Sequence, residues 1–288
     1  MRLLTQLCCL FAASILSAAD FDLVLAGGRV IDGTGNPARF ADVAIKDGRI
    51  VGIGRLGTNA TEVIDVTGKI VTPGFIDVHT HAENILTFPA AANFTRLGVT
   101  TLVLGNCGSS DVNVARLFAR IGQTNVAVNV ATLIGQGSVR SQVMGGSFMR
   151  PPTEPELKQM KALIRRGMEE GALGMSSGLF TAPGSYAKPD ELVAFGHVLK
   201  RYNAAYFTHL RDESDRVIES VAEAIALAEA CGVHVQIVHF KCSGVNNWGK
   251  VDEALGMMAA ARDRGLDIDC DAYPYAAGSN PLKNLLPQ

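Results

Sequence analysis

Two histidines stand in the stretch TPGFIDVHTHAEN at a spacing that could bind a metal ion. His79 and His81 are two residues apart at the end of an apolar run. In a β-strand, residues i and i+2 point to the same face. Two imidazoles on one face can bind a metal, since neutral imidazole is the commonest metal ligand, or they can be polar residues at a strand end. The apolar residues before them indicate a buried strand: Ile70, Val71, Phe75, Ile76 and Val78.

The elements that would position these histidines alternate between strands and helices from Thr72 onward. Helical patterns, such as residues 153–171 and 213–232, separate seven apolar segments. Alternation of this kind, at about 30 residues per unit, indicates parallel βαβ units. The predicted strands are GFIDVHTH, TTLVLGNCG, VAVNVATLIG, GALGMSSGLF, AAYFTHLRDE, HVQIVHFK and LDIDCDAYPY.

We therefore predict an α/β fold with a TIM-like (β/α)8 barrel of the metal-dependent hydrolase type. The sequence holds seven of its strands, and we expect the eighth to be missing from this chain, since a closed barrel has eight. An open doubly wound sheet is the alternative, but no glycine-rich nucleotide loop follows the first strand.

Three further potential metal ligands fall at the ends of these strands. Cys107 ends the second strand, His209 the fifth and His239 the sixth. Active sites of such barrels lie at the carboxyl ends of the strands. Cys107, His209 and His239 should therefore lie near His79 and His81. Zinc accepts both imidazole nitrogen and cysteine sulfur, so the sequence predicts a zinc site at this rim.

The chain before the barrel has a different pattern. Residues 1–19 combine a basic residue, an apolar stretch and small residues, which is typical of a signal peptide. We expect export to the periplasm or outside the cell without a stable membrane anchor, because the apolar stretch is shorter than a span of about 20 residues. Residues 20–71 alternate apolar and polar residues around Asp-Gly and Thr-Gly pairs, which indicates hairpins of a small β domain. The barrel would occupy residues 72–288.

Composition excludes several partners. The formal net charge of −2 over 288 residues provides no electrostatic attraction for nucleic acid or for an anionic membrane. Four cysteines remain after the predicted signal peptide, too few for a disulfide-dense scaffold.

Several motifs in chain order resemble one family. DLVLAGGRVIDGTG, GKIVTPGFIDVHTH, GNCG, GALGMSSGL, THLRDE, VHFK and DAYPYAAGS resemble the amidohydrolase superfamily and, within it, the N-acyl-D-amino-acid deacylases. The resemblance runs from about Asp22 to the last residue. GNCG is the more specific motif for the deacylases. Relatives in other branches often use a carboxylated lysine on strand four as the bridging metal ligand, whereas GALGMSSG contains no lysine.

The resemblance implies a zinc-dependent hydrolase that releases a D-amino acid from a small N-acyl-D-amino acid. The implied ligands of a tightly bound zinc are Cys107, His209 and His239. The implied second, weaker position uses His79 and His81 with Cys107 shared. The residues that match substrate-binding positions are Lys241, Tyr273 and Ser279.

Two alternatives stay open at this point. The same fold can act on cyclic amides or dipeptides, as dihydroorotases, hydantoinases and dipeptidases do. The chain can also be an inactive metal-binding fragment. The resemblance places the catalytic aspartate on strand eight, beyond residue 288, so we expect either a piece of a longer protein or a shortened, inactive descendant.

Overall fold

The computed structural model describes residues 19–280 and divides into two compact units after Pro73. Most of the predicted signal peptide, residues 1–18, lies outside the described residues, as do residues 281–288. Within residues 19–280, no helix combines the length and the apolar character needed to cross a membrane.

The first unit is a five-stranded β-sheet. Its strands follow the order β3-β2-β1-β4, and β5 also pairs with β1. The strands are β1 (Phe21–Val30), β2 (Arg39–Lys46), β3 (Arg49–Gly54), β4 (Ala60–Asp65) and β5 (Ile70–Val71). Its buried apolar residues come from β1 and β2 and are Val24, Val30, Ala41, Val43 and Ala44. The sheet therefore has a small core of its own.

Hairpin pairing holds for only part of this unit. Asp47 and Gly48 join β2 to β3 with φ angles of 51° and 69°, the type I′ turn whose twist matches antiparallel strands. This part of the prediction is confirmed. A hairpin around Thr67-Gly68 is wrong, because β4 and β5 both pair in parallel with β1. The turn does not reverse the chain, which continues along the same edge of β1.

The second unit contains a seven-stranded parallel sheet whose strands follow chain order from β6 to β12. This order confirms the predicted barrel-type fold. The strands are β6 (Phe75–Asp77), β7 (Val99–Leu104), β8 (Asn129–Gly135), β9 (Gly174–Gly178), β10 (Ala205–His209), β11 (Val235–Ile237) and β12 (Ile268–Cys270). The helices between them are α1 (Ala92–Thr95), α2 (Val114–Thr124), α3 (Gln136–Met144), α4 (Glu154–Glu169), α5 (Pro189–Lys200), α6 (Val217–Cys231) and α7 (Val251–Asp263).

Local sequence signals explain where two of the longer helices begin and end. Thr153 and Glu156 form a capping box at the start of α4, in which each side chain accepts a hydrogen bond from the other residue's backbone N–H. The last helix before β11, α6, ends at Gly232 in the left-handed conformation, with φ 61°. The predicted apolar face of α6 is buried: Val217, Val221, Ala224, Ile225 and Ala228.

The predicted burial of the segment before His79 is wrong. Ile70, Phe75, Ile76 and Val78 are 59%, 55%, 63% and 40% exposed, and Val71 is partly buried. Phe75 and Ile76 belong to β6, which is an end strand of the described sheet and pairs with β7. An edge strand has a neighbour on one side only, so apolar side chains there can remain accessible despite their strand pattern.

The middle strand of the sheet, β9, is the most enclosed. All five residues of its sequence GMSSG are buried. A side chain at Gly174 would place its Cβ 2.0 Å from the carbonyl oxygen of Ala205 on β10. Small residues are therefore required where β9 packs against its neighbours.

A buried ion pair links α3 to α5. The Arg140 side chain is 0% exposed and donates to the carboxylate of Glu191, which also accepts from Gln136 Nε2 at 3.2 Å. Arg140 Nη2 donates in addition to the carbonyl oxygens of Phe148, at 2.8 Å, and Arg150, at 2.6 Å. These bonds satisfy a guanidinium that is shielded from water, and they hold the segment after α3 in place.

We predict that Glu191→Ala destabilises the protein by about 3–5 kcal/mol, because it leaves the Arg140 charge buried and unpaired. The exposed pair Arg262–Asp269, with both side chains 55% exposed, provides the control: Asp269→Ala should cost less than about 1 kcal/mol. Urea denaturation of both variants measures the difference. Equal losses would contradict the structural importance of the buried pair.

Candidate metal centre

Four of the predicted ligands lie where strands of the parallel sheet end. His209 is the last residue of β10, and His79, Cys107 and His239 follow the ends of β6, β7 and β11 within three residues. His79 and His81 thus lie after their strand rather than within it. Parallel strands end at one edge of a sheet, which is why residues distant in sequence meet there.

The Cys107 thiol lies between two imidazoles. Its Sγ is 3.7 Å from His79 Nε2 and 3.5 Å from His239 Nε2. The three potential ligand atoms lie within 4.8 Å of one another. Bonds of about 2.3 Å to sulfur and about 2.0–2.1 Å to nitrogen at a tetrahedral zinc ion would put S and N about 3.6 Å apart. We call His79, Cys107 and His239 the thiol–imidazole cluster.

Two members of this cluster have an unusual backbone conformation. Cys107 has φ 52° and His239 has φ 40°, a left-handed region that costs a non-glycine residue on the order of 1–3 kcal/mol. Asp271 supports the His239 conformation: its Oδ1 accepts from His239 N at 2.6 Å, and its carbonyl oxygen accepts from Phe240 N at 2.7 Å. The surrounding hydrogen bonds therefore hold the ligand-bearing turns in strained geometry.

His209 lies beside the cluster but faces another group. Its ring centroid is 4.4 Å from that of His239, and Phe180 stacks on its other side at 5.7 Å. His209 Nε2 is 3.7 Å from Glu213 Oε2. Among residues 19–280, its ligand atoms group with those of His239 and Glu213, and no three-ligand group joins it to both Cys107 and His239.

His81 lies at the periphery. Its ring centroid is 5.3 Å from that of His79, but its side chain is 56% exposed and its Nδ1 is 3.9 Å from Glu83 Oε1. Within the described chain, His81 is not part of either three-ligand group. The structure thus brings together four of the five predicted ligands and leaves the fifth at the solvent side.

Glu213 is a site residue that the sequence reasoning missed. Its Oε1 lies 3.0 Å from His239 Nδ1 and 2.7 Å from Lys241 Nζ. His239 therefore faces Cys107 with one ring nitrogen and Glu213 with the other. The available signal was the position of Glu213 four residues after His209, in the quoted motif THLRDE.

The predicted substrate-binding residues are placed differently from one another. Lys241 Nζ contacts Glu213, donates to the His239 carbonyl oxygen at 2.8 Å and lies 5.5 Å from the centre of the Tyr273 ring. Lys241 and Tyr273 therefore adjoin the cluster. Ser279 is exposed near the end of the described segment and follows Gly278, at which a Cβ would lie 3.3 Å from the Tyr273 hydroxyl oxygen.

Burial favours the neutral forms of His79, Cys107 and His209. Burial lowers the pKa of His79 to about 3, and the charges of His239 and other neighbours act in the same direction. Burial lowers the pKa of His209 to about 4, although Glu213 opposes this shift. Burial also raises the pKa of the Cys107 thiol to about 12, with Glu213 contributing. The Glu213 carboxyl is the exception: burial raises its pKa, but the His239 hydrogen bond and the neighbouring cations outweigh that effect and lower it.

This donor set fits a zinc-type cation. Neutral imidazoles are the form that binds metals, and His209 Nε2 is buried without a hydrogen-bond partner among residues 19–280. A divalent cation would also compensate the cost of ionising the Cys107 thiol, since a coordinating thiol is deprotonated. The residues that could hold the ion are His79, Cys107, His209 and His239.

Comparison with known proteins agrees with this chemistry. The model of the amidohydrolase family matches residues 62–285. A D-aminoacylase of Alcaligenes xylosoxydans xylosoxydans is 36% identical over 91% of this chain and 59% of that relative. An N-acyl-D-aspartate deacylase of the same organism is 35% identical over 92% of this chain and 58% of that relative.

A solved structure is similar in fold as well. The N-acyl-D-glutamate deacylase of Bordetella bronchiseptica, complexed with zinc and a phosphonate that mimics the tetrahedral intermediate, superposes with a TM-score of 0.85 and 34% identity. The match covers 88% of this chain and 59% of that chain. The chain thus spans somewhat more than half the length of the relatives that it matches.

We predict that the metal-free protein loses stability as the pH falls from 7 to 5, partly through His209. Its folded-state pKa is about 4 against an ordinary value of 6.5, so the unfolded chain binds the proton first, and stability present above pH 6.5 is lost toward pH 4. From this shift, His209 accounts for about 2 kcal/mol of the loss between pH 7 and 5. Urea denaturation of the metal-free protein at both pH values measures it.

His209→Gln, which cannot take up a proton in this range, is the matched variant. Between pH 7 and pH 5, the free energy of unfolding of this variant should fall by about 2 kcal/mol less than that of the unaltered protein. Identical pH dependence in the two proteins would mean that His209 is not buried in its neutral form.

Proposed function

The chain belongs to the amidohydrolase family, and from this premise we propose that the whole protein is a metal-dependent hydrolase that releases a D-amino acid from an N-acyl-D-amino acid. The observation that carries the proposal is the thiol–imidazole cluster, in which the Cys107 thiol lies between the Nε2 atoms of two histidines. The relatives named as a D-aminoacylase and an N-acyl-D-aspartate deacylase each match about nine-tenths of this chain.

Cys107 and His239 form the centre of the proposed zinc site. The family resemblance adds His209 to them as ligands of the tightly bound ion, whereas the distances favour His79 as the third. When bound, zinc supplies positive charge that polarises an amide carbonyl and lowers the pKa of a water molecule. The residues of the chain orient the ligands and the substrate around that charge.

Glu213 orients two neighbouring groups. Its carboxylate accepts from the Nδ1 side of His239, at 3.0 Å, so that the Nε2 lone pair is directed toward the cluster. The same oxygen holds Lys241 Nζ at 2.7 Å. A carboxylate that pairs with a ligand imidazole fixes both its tautomer and its ring orientation.

Lys241 is the proposed partner of the substrate carboxylate. An N-acyl amino acid carries its carboxylate one carbon from the amide nitrogen. Lys241 Nζ lies 3.0 Å from His239 Nδ1, so a carboxylate bound there would keep the amide close to the cluster. Two hydrogens of the ammonium group reach Glu213 and the His239 carbonyl oxygen. With the His239 proton on Nδ1, which lies 3.0 Å from Nζ, the third hydrogen is left for substrate.

Asp271 does not serve as the proton-transfer group in this proposal. Its Oδ1 accepts from His239 N at 2.6 Å and its Oδ2 from Gln236 Nε2 at 2.9 Å. Both carboxylate oxygens are therefore engaged in holding the turn after β11. Its proposed role is to support the His239 backbone.

We predict that Cys107→Ala in the whole protein removes most of the bound zinc and lowers amino-acid release by at least about 100-fold, the upper end of what loss of an outer-sphere partner costs. Bound zinc is measured by inductively coupled plasma mass spectrometry, and free D-amino acid is measured by chiral chromatography. Cys231→Ala is the control, because this buried thiol contacts Val193 O at 3.6 Å. Full zinc and full activity in Cys107→Ala would refute its assignment as a ligand.

A panel of substrates should distinguish deacylation of N-acyl-D-amino acids from hydrolysis of cyclic amides or dipeptides and from metal binding without catalysis. N-acetyl-D-amino acids are compared with their L-enantiomers, a hydantoin and a dipeptide. The proposal expects the highest kcat/KM for the D-compounds. Faster cleavage of the hydantoin or dipeptide would favour a cyclic-amide or dipeptide hydrolase, and full zinc occupancy with no amide cleavage would establish a non-catalytic metal-binding protein.

We predict that Lys241→Met raises KM for N-acyl amino acids by about 10-fold or more, because a hydrogen bond to a charged group contributes about 1.5–3 kcal/mol. An N-acetylated amine without a carboxylate should be cleaved equally well by both enzymes. Lys250→Met is the control, since Lys250 Nζ donates to Asp215 O on the surface. An unchanged KM at full zinc content would contradict the role of Lys241.

A further inference from the structure

A serine on β9 contacts both ends of the turn that carries Cys107. Residues 105–108 form this turn, which we call the Cys107 turn. Ser176 Oγ accepts a hydrogen bond from Gly108 N at 2.9 Å and donates one to Gly105 O at 2.5 Å. Ser176 is 0% exposed. One buried hydroxyl therefore satisfies a backbone donor and a backbone acceptor on either side of Cys107.

The backbone of the Cys107 turn also lies directly on the neighbouring strands. A Cβ at Gly178 of β9 would be 2.3 Å from Cys107 O, and one at Gly135 of β8 would be 2.5 Å from Gly108 O. Such contacts are possible only where the strand has no side chain. The turn thus packs against two glycines and is held by the two hydrogen bonds of one hydroxyl.

We propose that Ser176 is a positioning residue that fixes the Cys107 thiol for metal binding; this inference rests on the proposed function of the thiol–imidazole cluster. Cys107 is held at φ 52°, a conformation from which a non-glycine residue tends to relax. Without the Ser176 hydroxyl, Gly108 N–H and Gly105 C=O would be left unpaired in the interior, where an unpaired polar group is unfavourable. Relaxation of the turn would move Sγ away from its separations of 3.7 and 3.5 Å to the two imidazoles.

The next residue of β9 provides a matched control. Ser177 is also 0% exposed, but successive strand residues point to opposite faces. Its Oγ lies 2.6 Å from Tyr206 OH and 2.9 Å from Thr208 Oγ1. Ser177→Ala therefore removes the same atom from the same strand and leaves the Cys107 turn intact.

The first experiment follows alkylation of each cysteine in the metal-free, full-length protein, with peptide mapping by mass spectrometry. Ser176→Ala should raise the alkylation rate of Cys107, relative to those of Cys242 and Cys270, by at least about fivefold. A free-energy change of about 1 kcal/mol would raise the population of the relaxed turn by this factor. Ser177→Ala should leave this ratio unchanged. The same ratio in both variants would overturn the proposal.

The second experiment uses cobalt(II) in place of zinc, because a cysteine thiolate bound to cobalt gives a charge-transfer absorption band. Ser176→Ala should weaken or shift the band per bound cobalt, whereas Ser177→Ala should keep it. Identical bands in both variants would overturn the role of Ser176. A wild-type protein that binds cobalt with no band sensitive to Cys107→Ala would instead contradict the proposed metal site, and the alkylation ratio would still decide the role of Ser176.

A measurement on the unaltered protein covers the case in which Ser176→Ala does not fold. The amide hydrogen of Gly108 should exchange with solvent as slowly as those within β9, because it is bonded to a buried hydroxyl. Exchange at the rate of a freely exposed amide would overturn the proposal.

Discussion

The parallel register of β6 to β12 is the constraint on which the site depends. Each crossover returns the chain to the same end of the sheet, so that successive strands finish at one edge. Cys107 and His239 are 132 residues apart in sequence, yet their ligand atoms lie 3.5 Å apart. A shift of one residue in pairing would turn side chains to the opposite face, so the hydrogen bonds of the sheet, more than any single contact, determine which groups meet.

Burial at the carboxyl ends of the strands shifts the pKa of an imidazole and that of a thiol in opposite directions, and both shifts favour the uncharged form. It lowers the pKa values of His79 and His209 and raises that of Cys107, so all three favour their uncharged forms. The nearby charges are arranged as a pair, Glu213 with Lys241, at 2.7 Å. Asp271 adds a further carboxylate, whose Oδ1 accepts from His239 N at 2.6 Å. An incoming cation would supply the charge that the Cys107 thiol needs to ionise.

The positioning of the cluster depends on less conspicuous groups. Cys107 and His239 both have left-handed backbone conformations, and each is supported by hydrogen bonds from elsewhere: Ser176 beside the first and Asp271 behind the second. Strained residues persist only where the surrounding structure holds them. The buried β9, with its small residues, supplies that support for Cys107, whereas the accessible edge strand β6 precedes His79 and the exposed His81.

The sequence by itself determined the number, type and order of the barrel strands, because alternation of apolar strands and helices is a property of consecutive residues. It also determined the Asp47-Gly48 turn, and the spacing of the predicted strands was sufficient to predict the four potential ligands that meet at their carboxyl ends: His79, Cys107, His209 and His239. Only the tertiary structure decided that Glu213 contacts His239, that His81 remains exposed and that Ser176 ties the Cys107 turn. These contacts join residues on different strands, and side-chain direction there depends on packing and register that no local pattern encodes. The same reason explains why β4 and β5 pair in parallel with β1 and why β6 is exposed. Which strands pair depends on contacts throughout the sheet and not on the local sequence alone.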